Sequence, residues 1–161
     1  MSNQTILGID PGTHRLGWGV ISGSASKQSY LASGCLESEA HTKPEVYLPK
    51  IYLEISKIIS TYQPNLIGIE SLLFQKNVST AISVAEARGV IRLVAAQNNI
   101  PIIESAPNTI KLAVAGSGSA GKAEVTRMVG LLLGIEVTKK RDDELDALAV
   151  AISTIVTNKN L

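Results

Sequence analysis

The sequence predicts an α/β fold, a mixed five-stranded sheet with helices on both faces. Three observations carry this. Short apolar runs punctuated by Gly and Ser fill roughly the first forty residues. Beyond them, apolar runs of strand length alternate with segments whose apolar residues recur every three or four positions. One of those segments is apolar on most sides, so a single sheet face cannot cover it.

Each element follows in order. Residues 5–9 form a short apolar run, stopped by the turn signal Asp10-Pro11-Gly12. Runs at 16–22 and 29–36 continue an antiparallel meander. From 44 to 62 the period changes: Val46, Leu48, Ile51, Tyr52, Ile55, Ile58, Ile59 and Tyr62 fall on helical steps. Gln63-Pro64-Asn65 ends that helix, and Leu66-Ile67-Gly68-Ile69 is a fully apolar strand leading to Glu70. A helix is predicted over 79–98, a buried strand over 100–104 and a short helix over 107–115. A flexible loop over 116–121 precedes helices over 122–133 and 143–157. No internal repeat or low-complexity tract interrupts the pattern.

The 161 residues fit one domain, placed at 1–157 with a short tail at 158–161. With 45% hydrophobic and 18% charged residues, the chain is not disordered. No window approaches the roughly 18 apolar residues of a membrane helix, and the N-terminus lacks the basic region of a signal peptide. A single cysteine, Cys35, offers no disulfide framework. A cytoplasmic setting, or an organelle matrix of bacterial descent, is expected, with no membrane partner. Net charge is only +1, but residues 71–141 hold nine Lys or Arg against four acids. A skew of that size can hold a polyanion.

Four carboxylates stand at the ends of apolar elements. Asp10 and Glu70 each end a strand, and adjacent parallel strands would bring both to one sheet edge, where open α/β sheets place ligands. Asp143 and Asp146 are three apart at the start of the last helix and share a face. Singly, each has an ordinary structural explanation. Asp10 precedes a Pro-Gly turn, Glu70 can be a strand-end surface charge, and acids at 142–144 complement a helix N-terminus. Together they suit hard cations such as Mg²⁺, a pair of which clamps the attacking and leaving oxygens of a phosphoryl displacement.

The string Ile6-Leu7-Gly8-Ile9-Asp10-Pro11-Gly12-Thr13, followed by Arg15-Leu16-Gly17-Trp18-Gly19-Val20, resembles the opening of the RuvC family of bacterial Holliday-junction resolvases. Further blocks agree in order. They are Ile67-Gly68-Ile69-Glu70 with Phe74-Gln75-Lys76-Asn77, then Glu86-Ala87-Arg88-Gly89-Val90, then Lys111 with Gly121-Lys122-Ala123-Glu124-Val125, and Asp143-Glu144-Leu145-Asp146-Ala147-Leu148-Ala149. The resemblance implies an RNase H-like fold, a homodimer and Mg²⁺-dependent paired nicking of four-way DNA junctions in recombination and repair. It implies two Mg²⁺ per subunit, with Mn²⁺ as a substitute, on Asp10, Glu70, Asp143 and Asp146. It sets Lys111 and Lys122 near the scissile phosphate as further catalytic residues. Arg15, Phe74, Lys76, Asn77 and Arg88 join them as DNA contacts, and the RuvA–RuvB branch-migration complex is an implied partner. Ser71 and Leu73 depart from the family pattern, which often has Gln and an aromatic there. A wedge against unpaired bases therefore rests on Phe74 alone, and a core role for Phe74 stays open.

Rival readings are weaker. Residues 116–122 have the G-x-x-x-x-G-K spacing of a phosphate loop, but Ala123 stands where a Mg²⁺-binding hydroxyl belongs. Asp10-Pro11-Gly12-Thr13 is also similar to the first phosphate loop of the actin and sugar-kinase superfamily, which closes two such domains on ATP; this chain supplies one. A non-catalytic dimeric module is disfavoured by the four intact acids. His14 and His41 are isolated, so no zinc site is expected.

Overall fold

The structure, a computed structural model, describes residues 3–71 and 78–158. Strands β1 (Gln4–Pro11), β2 (Arg15–Ser24) and β3 (Lys27–Glu37) form the expected meander. After helix α1 (Pro44–Tyr62) comes β4 (Leu66–Glu70). Helix α2 (Val78–Gln97) leads to β5 (Ile102–Ser105), and α3 (Pro107–Ala115), α4 (Lys122–Leu133) and α5 (Asp142–Thr157) complete the chain. The sheet order is β3-β2-β1-β4-β5, antiparallel among the first three strands and parallel from β1 through β5. The buried strand predicted over 100–104 is found at Ile102–Ser105 with only Ser105 buried, and a 3-10 turn at Val137–Lys139 adds to the predicted elements. A three-residue turn is too short to leave a periodic signal.

Local chemistry explains the element ends. Pro44 fits the first turn of α1, where its missing N–H has no partner to lose. Gln63 closes that helix in the left-handed region, with its N–H donating to Ile59 O. The backbone N–H of Arg141, which precedes α5, donates to Glu144 Oε1 at 3.4 Å. Glu144 thus behaves as a capping acid.

Strand alternation divides the core. Leu7, Ile9, Ile67 and Ile69 face α1 and α2 and pack with Ile51, Ile55, Ile91 and Val94. Ile6 and Ile21 face the other side, with Leu148 and Ile152 of α5 and residues of α3 and α4. Each fully buried Ile or Leu contributes about 1.5–3 kcal/mol relative to exposure. Helices therefore cover both faces, as the sequence predicts.

The α5 side has a special floor. On β1 and β4 the α5-facing positions are Gly8 and Gly68, which pair directly in the parallel ladder. A Cβ on Gly8 would lie 2.1 Å from Ala147 O and 2.6 Å from Ala151 N. One on Gly68 would lie 2.0 Å from Thr154 Oγ1, and one on Gly17 of β2 2.0 Å from Asp143 O. The helix backbone thus rests almost on the strand backbone, which explains the small apolar stretch Ala147–Ala151.

Gly8→Ala should therefore destabilise the fold by about 3 kcal/mol, the upper end for overpacking, because the clash is with helix backbone that cannot rotate away. Urea unfolding of the two proteins measures this directly; a loss under about 1 kcal/mol would show that α5 sits less tightly.

Candidate active site

Pleating decides where the strand acids point. Gly8 faces α5, so Asp10, two residues on, faces the same way; Gly68 and Glu70 repeat the relation on β4. Ile9 and Ile69 are ladder partners, which sets Asp10 and Glu70 side by side just past the pairing. Asp143 and Asp146, one helical turn apart at the N-terminal end of α5, descend onto the same edge. The structure thus brings together four acids that are far apart in sequence.

Their electrostatics show the crowding. The Asp10 carboxyl is pushed up to about 7, first by burial, then by Asp146, Glu70 and Asp143. Burial and Asp146 raise Glu70, while Lys111 and Arg88 oppose them. Burial also raises Asp146 against the pull of Lys122. Lys122 Nζ lies 3.2 Å from Asp146 Oδ2 and 3.2 Å from Asp142 Oδ2. Burial works against its charge, but the two aspartates hold its ammonium above the ordinary value. Arg15 pairs with Glu37 at 3.1 Å and reaches Asp143 Oδ2 at 3.7 Å. A cavity of about 230 Å³ has Asp10, Glu70, Ser71 and Arg88 in its walls. A second, of about 210 Å³, has Glu70, Lys111, Lys122 and Asp146. Glu70 stands between them.

Among the described residues, no three His, Cys, Asp or Glu side chains close on one point as a ready cage. The ion pairs give the reason: Asp146 is turned to Lys122, and Arg15 lies toward Asp143. The donor set nonetheless fits a hard divalent cation. It is made of carboxylate oxygens, and their mutual repulsion is what a bound cation relieves.

Other expected residues fall into three groups. Lys111 is half-buried, close enough to Glu70 to act on its charge. Phe74, Lys76 and Asn77 lie outside the described residues. Arg88 corrects the sequence reading. It is 6% exposed and turned inward, its guanidinium donating to the backbone carbonyl of Glu70 and pairing with Glu104 at 2.9 Å, so its fork is taken up by the protein's own acceptors instead of standing out on the surface. Helical spacing held the signal, since Arg88 follows buried Ala87 and stands three before buried Ile91. The basic skew of 71–141 is likewise less available than its count suggests. Lys140 donates to Tyr30 Oη at 2.7 Å and Ser33 Oγ at 2.9 Å, and Arg141 pairs with Glu37. Sequence reasoning missed one neighbour: Cys35 Sγ lies 3.9 Å from Asp143 Oδ2, and burial and that charge push its thiol up, away from nucleophilic use.

Comparison with known proteins decides the family. The model of the family described as crossover junction endodeoxyribonuclease RuvC matches residues 6–154. The chain belongs to the RuvC family. Relatives bearing that same description include one from Heliobacterium modesticaldum, 45% identical over 149 residues that cover 92% of both chains. Another, from Pseudothermotoga lettingae, is 42% identical over 146 residues, covering 91% of this chain and 90% of its own. Among solved structures, Thermus thermophilus RuvC in complex with a Holliday junction substrate matches with a TM-score of 0.88 and 27% identity, covering 93% of this chain and 92% of that one. The yeast mitochondrial Holliday junction resolvase Ydc2, at 14% identity, shares the fold with a TM-score of 0.68 over 94% of this chain and 77% of its own. The fold of this RuvC-family chain is the RNase H-like sheet expected from its sequence.

The crowding predicts a pH-dependent stability. Without metal, folded Asp10 titrates at about 7 against an ordinary 3.8, so the folded state holds the proton more tightly. The contribution of Asp10 to stability is fully present below about pH 4 and is lost as pH rises through 7. Asp10→Asn should remove this loss. In EDTA it should be more stable than the parent at pH 8, by on the order of 2–4 kcal/mol, and about equal at pH 4. Urea unfolding at both pH values checks it, and parallel pH profiles for the two proteins would refute it.

Proposed function

We propose that this chain is a structure-selective DNA endonuclease that resolves four-way junctions by paired symmetric nicks in recombination and repair. The observation that carries the reading is the convergence of Asp10, Glu70, Asp143 and Asp146 on one sheet edge beside Lys122, in a chain of the RuvC family. Relatives named crossover junction endodeoxyribonucleases and a RuvC structure holding a Holliday junction support the substrate. The four carboxylates would hold two Mg²⁺, or Mn²⁺ in its place. Bound there, the metal supplies charge to activate a water and to stabilise the departing 3′ oxygen of an in-line displacement.

The residues of the chain supply position. Asp10 and Glu70 are fixed by the β1–β4 ladder, and Asp143 and Asp146 by the seat of α5. Lys122 is held by Asp142 and Asp146 at the edge of the site, where an ammonium can turn toward a phosphate. Lys111 lines the same cavity as Lys122 and acts on the charge of Glu70. No nucleophilic side chain is needed: Cys35 is kept protonated, and a hydrolytic displacement is served by pre-set charge. Junction recognition rests on shape and backbone contacts.

A homodimer completes the reading. On α2, Ala87, Ile91, Val94 and Ala95 are buried, while Ile82 and Leu93 are 55% and 53% exposed. Glu86 and Gly89 share that outer stripe, and Val90 packs inward. A twofold partner covering the stripe would set two sites at a fixed distance for paired cuts. The RuvA–RuvB branch-migration complex is a proposed partner on family membership alone.

Asp10→Asn, Glu70→Gln, Asp143→Asn and Asp146→Asn should each lower nicking of a synthetic four-way junction in Mg²⁺ by at least about a hundredfold, with junction binding retained. Wild-type nicking by any of them removes that residue from the site. Lys111→Ala and Lys122→Ala should slow cleavage, and each should flatten the log–log salt dependence of junction binding by about 0.9. Rate and slope both unchanged would make them solvated surface charges. The dimer is tested by Leu93→Glu, which should give a folded monomer by light scattering that no longer makes paired cuts. An unsubstituted chain that is monomeric at micromolar concentration yet cuts in pairs would overturn the dimer.

A further inference from the structure

Arg88 is a buried cation for which the proposed reaction has no direct use. Its side chain is 7% exposed, and it comes from the sheet-facing side of α2. One arm, Nη1, donates to the backbone carbonyl of Glu70 at the end of β4. The other, Nη2, lies 2.9 Å from Glu104 Oε1 on β5. The two acceptors sit on neighbouring strands at nearly the same level, since Ile69 pairs with Glu104 and Glu70 with Ser105. A planar guanidinium can bridge two such acceptors with fixed geometry, whereas an ammonium is a single point. Arg92, one turn along α2, pairs with the same Glu104 and holds that carboxylate in place.

The bridge acts where the strand has little else. Among the described residues, the β4–β5 pairing continues past Glu70 through Ser71 N–H donating to Ser105 O at 2.9 Å. Burying a guanidinium is costly unless its donors are used, so its place here calls for a reason beyond solubility. The backbone atom it grips belongs to the residue whose side chain stands between the two cavities of the site.

From this geometry we infer that Arg88 is a positioning residue: its guanidinium straps the ends of β4 and β5 to α2 and thereby fixes the direction of the Glu70 carboxylate. The inference rests on the reading of Glu70 as a site carboxylate. It assigns Arg88 no contact with DNA. An arginine that served the phosphate backbone would need an exposed fork, and this one is enclosed by its own acceptors.

The test uses the full chain with Arg88→Lys, Arg88→Ala and, as a control, Glu104→Gln. Junction affinity and its salt slope are measured without metal, and cleavage rates with saturating junction in Mg²⁺. The rise in melting temperature on adding Ca²⁺ reports cation binding without turnover. Arg88→Lys should bind the junction within about twofold of the parent with an unchanged salt slope. It should cleave at least tenfold more slowly at saturation and need several-fold more Ca²⁺ for the same thermal shift. Guanidinium ion added to Arg88→Ala should restore part of the lost rate. Glu104→Gln, which removes the charge of one arm's partner but leaves the Glu70 bond, should lose stability with a rate within about threefold of the parent.

A weakened affinity with a flatter salt slope and normal saturated rate would make Arg88 a DNA contact and overturn the inference. So would equal rate losses in Arg88→Lys and Glu104→Gln after correction for the folded fraction. Failure of both Arg88 variants to fold, with no recovery in guanidinium, would assign the arginine to the fold alone and also overturn it. If the unsubstituted chain neither cuts junctions nor gains stability from divalent cations, the reading of the site fails first. Normal behaviour of the parent and of Arg88→Lys alike sinks only the positioning role.

Discussion

Everything in this molecule depends on how closely α5 lies on the sheet. Side chains normally keep a helix well away from strand backbone. Here Gly8, Gly17 and Gly68 remove them from the floor, and Ala147 and Ala151 shrink them on the helix. The gap closes to backbone contact. Two consequences follow from the one approach. The central strands are sealed by a helix whose residues from Ala147 to Ile155 are all buried. And carboxylates from helix and strands are forced within reach of one another at the edge where the glycines end. A bulkier floor would lift Asp143 and Asp146 off Asp10 and Glu70 and leave four ordinary surface acids.

That juxtaposition is held against its own repulsion. The neighbours resist in unequal ways. Lys122 shields Asp146, Lys111 and Arg88 ease Glu70, and Asp10, buried and faced by Asp146, Glu70 and Asp143 with only Lys122 opposing them, is pushed up to about 7. A fold selected only for stability would replace one of these acids. Their retention at a cost is the physical signature of a site that expects charge of the opposite sign.

Most of the architecture was legible in the sequence because its period signals are clean. The runs at 5–9 and 66–69, the stripe of α1 and the small apolar α5 each have a single sensible reading, and the ladder that pairs Ile9 with Ile69 follows from them. Asp10, Glu70, Asp143 and Asp146 were legible as acids at element ends. What the sequence hid is what depends on direction. Arg88 counts as one more basic residue until the helix is seated and its fork is found on Glu70 and Glu104. The two stripes that compete on α2 are separated only by packing, which turns Val90 inward and leaves Ile82 and Leu93 outside. Lys140 likewise looked like part of a basic surface and is instead enclosed by Tyr30, Ser33 and Glu144.

The seating of α5 also fixes when the sheet and the proposed site can assemble. The proposed site draws on residue 10, residue 70 and residues 143 and 146, so its contacts span nearly the full length of the chain. During synthesis the strands emerge first and wait without the helix that covers three of them. Until α5 docks, the glycine-floored face is an open apolar surface, and the strand acids have neither their helical partners nor Lys122 held against them. Assembly of the fold and assembly of the proposed site are therefore the same late event. A chain without α5 leaves that apolar face uncovered, the condition that favours aggregation, and holds only half of the acids that the proposed chemistry requires.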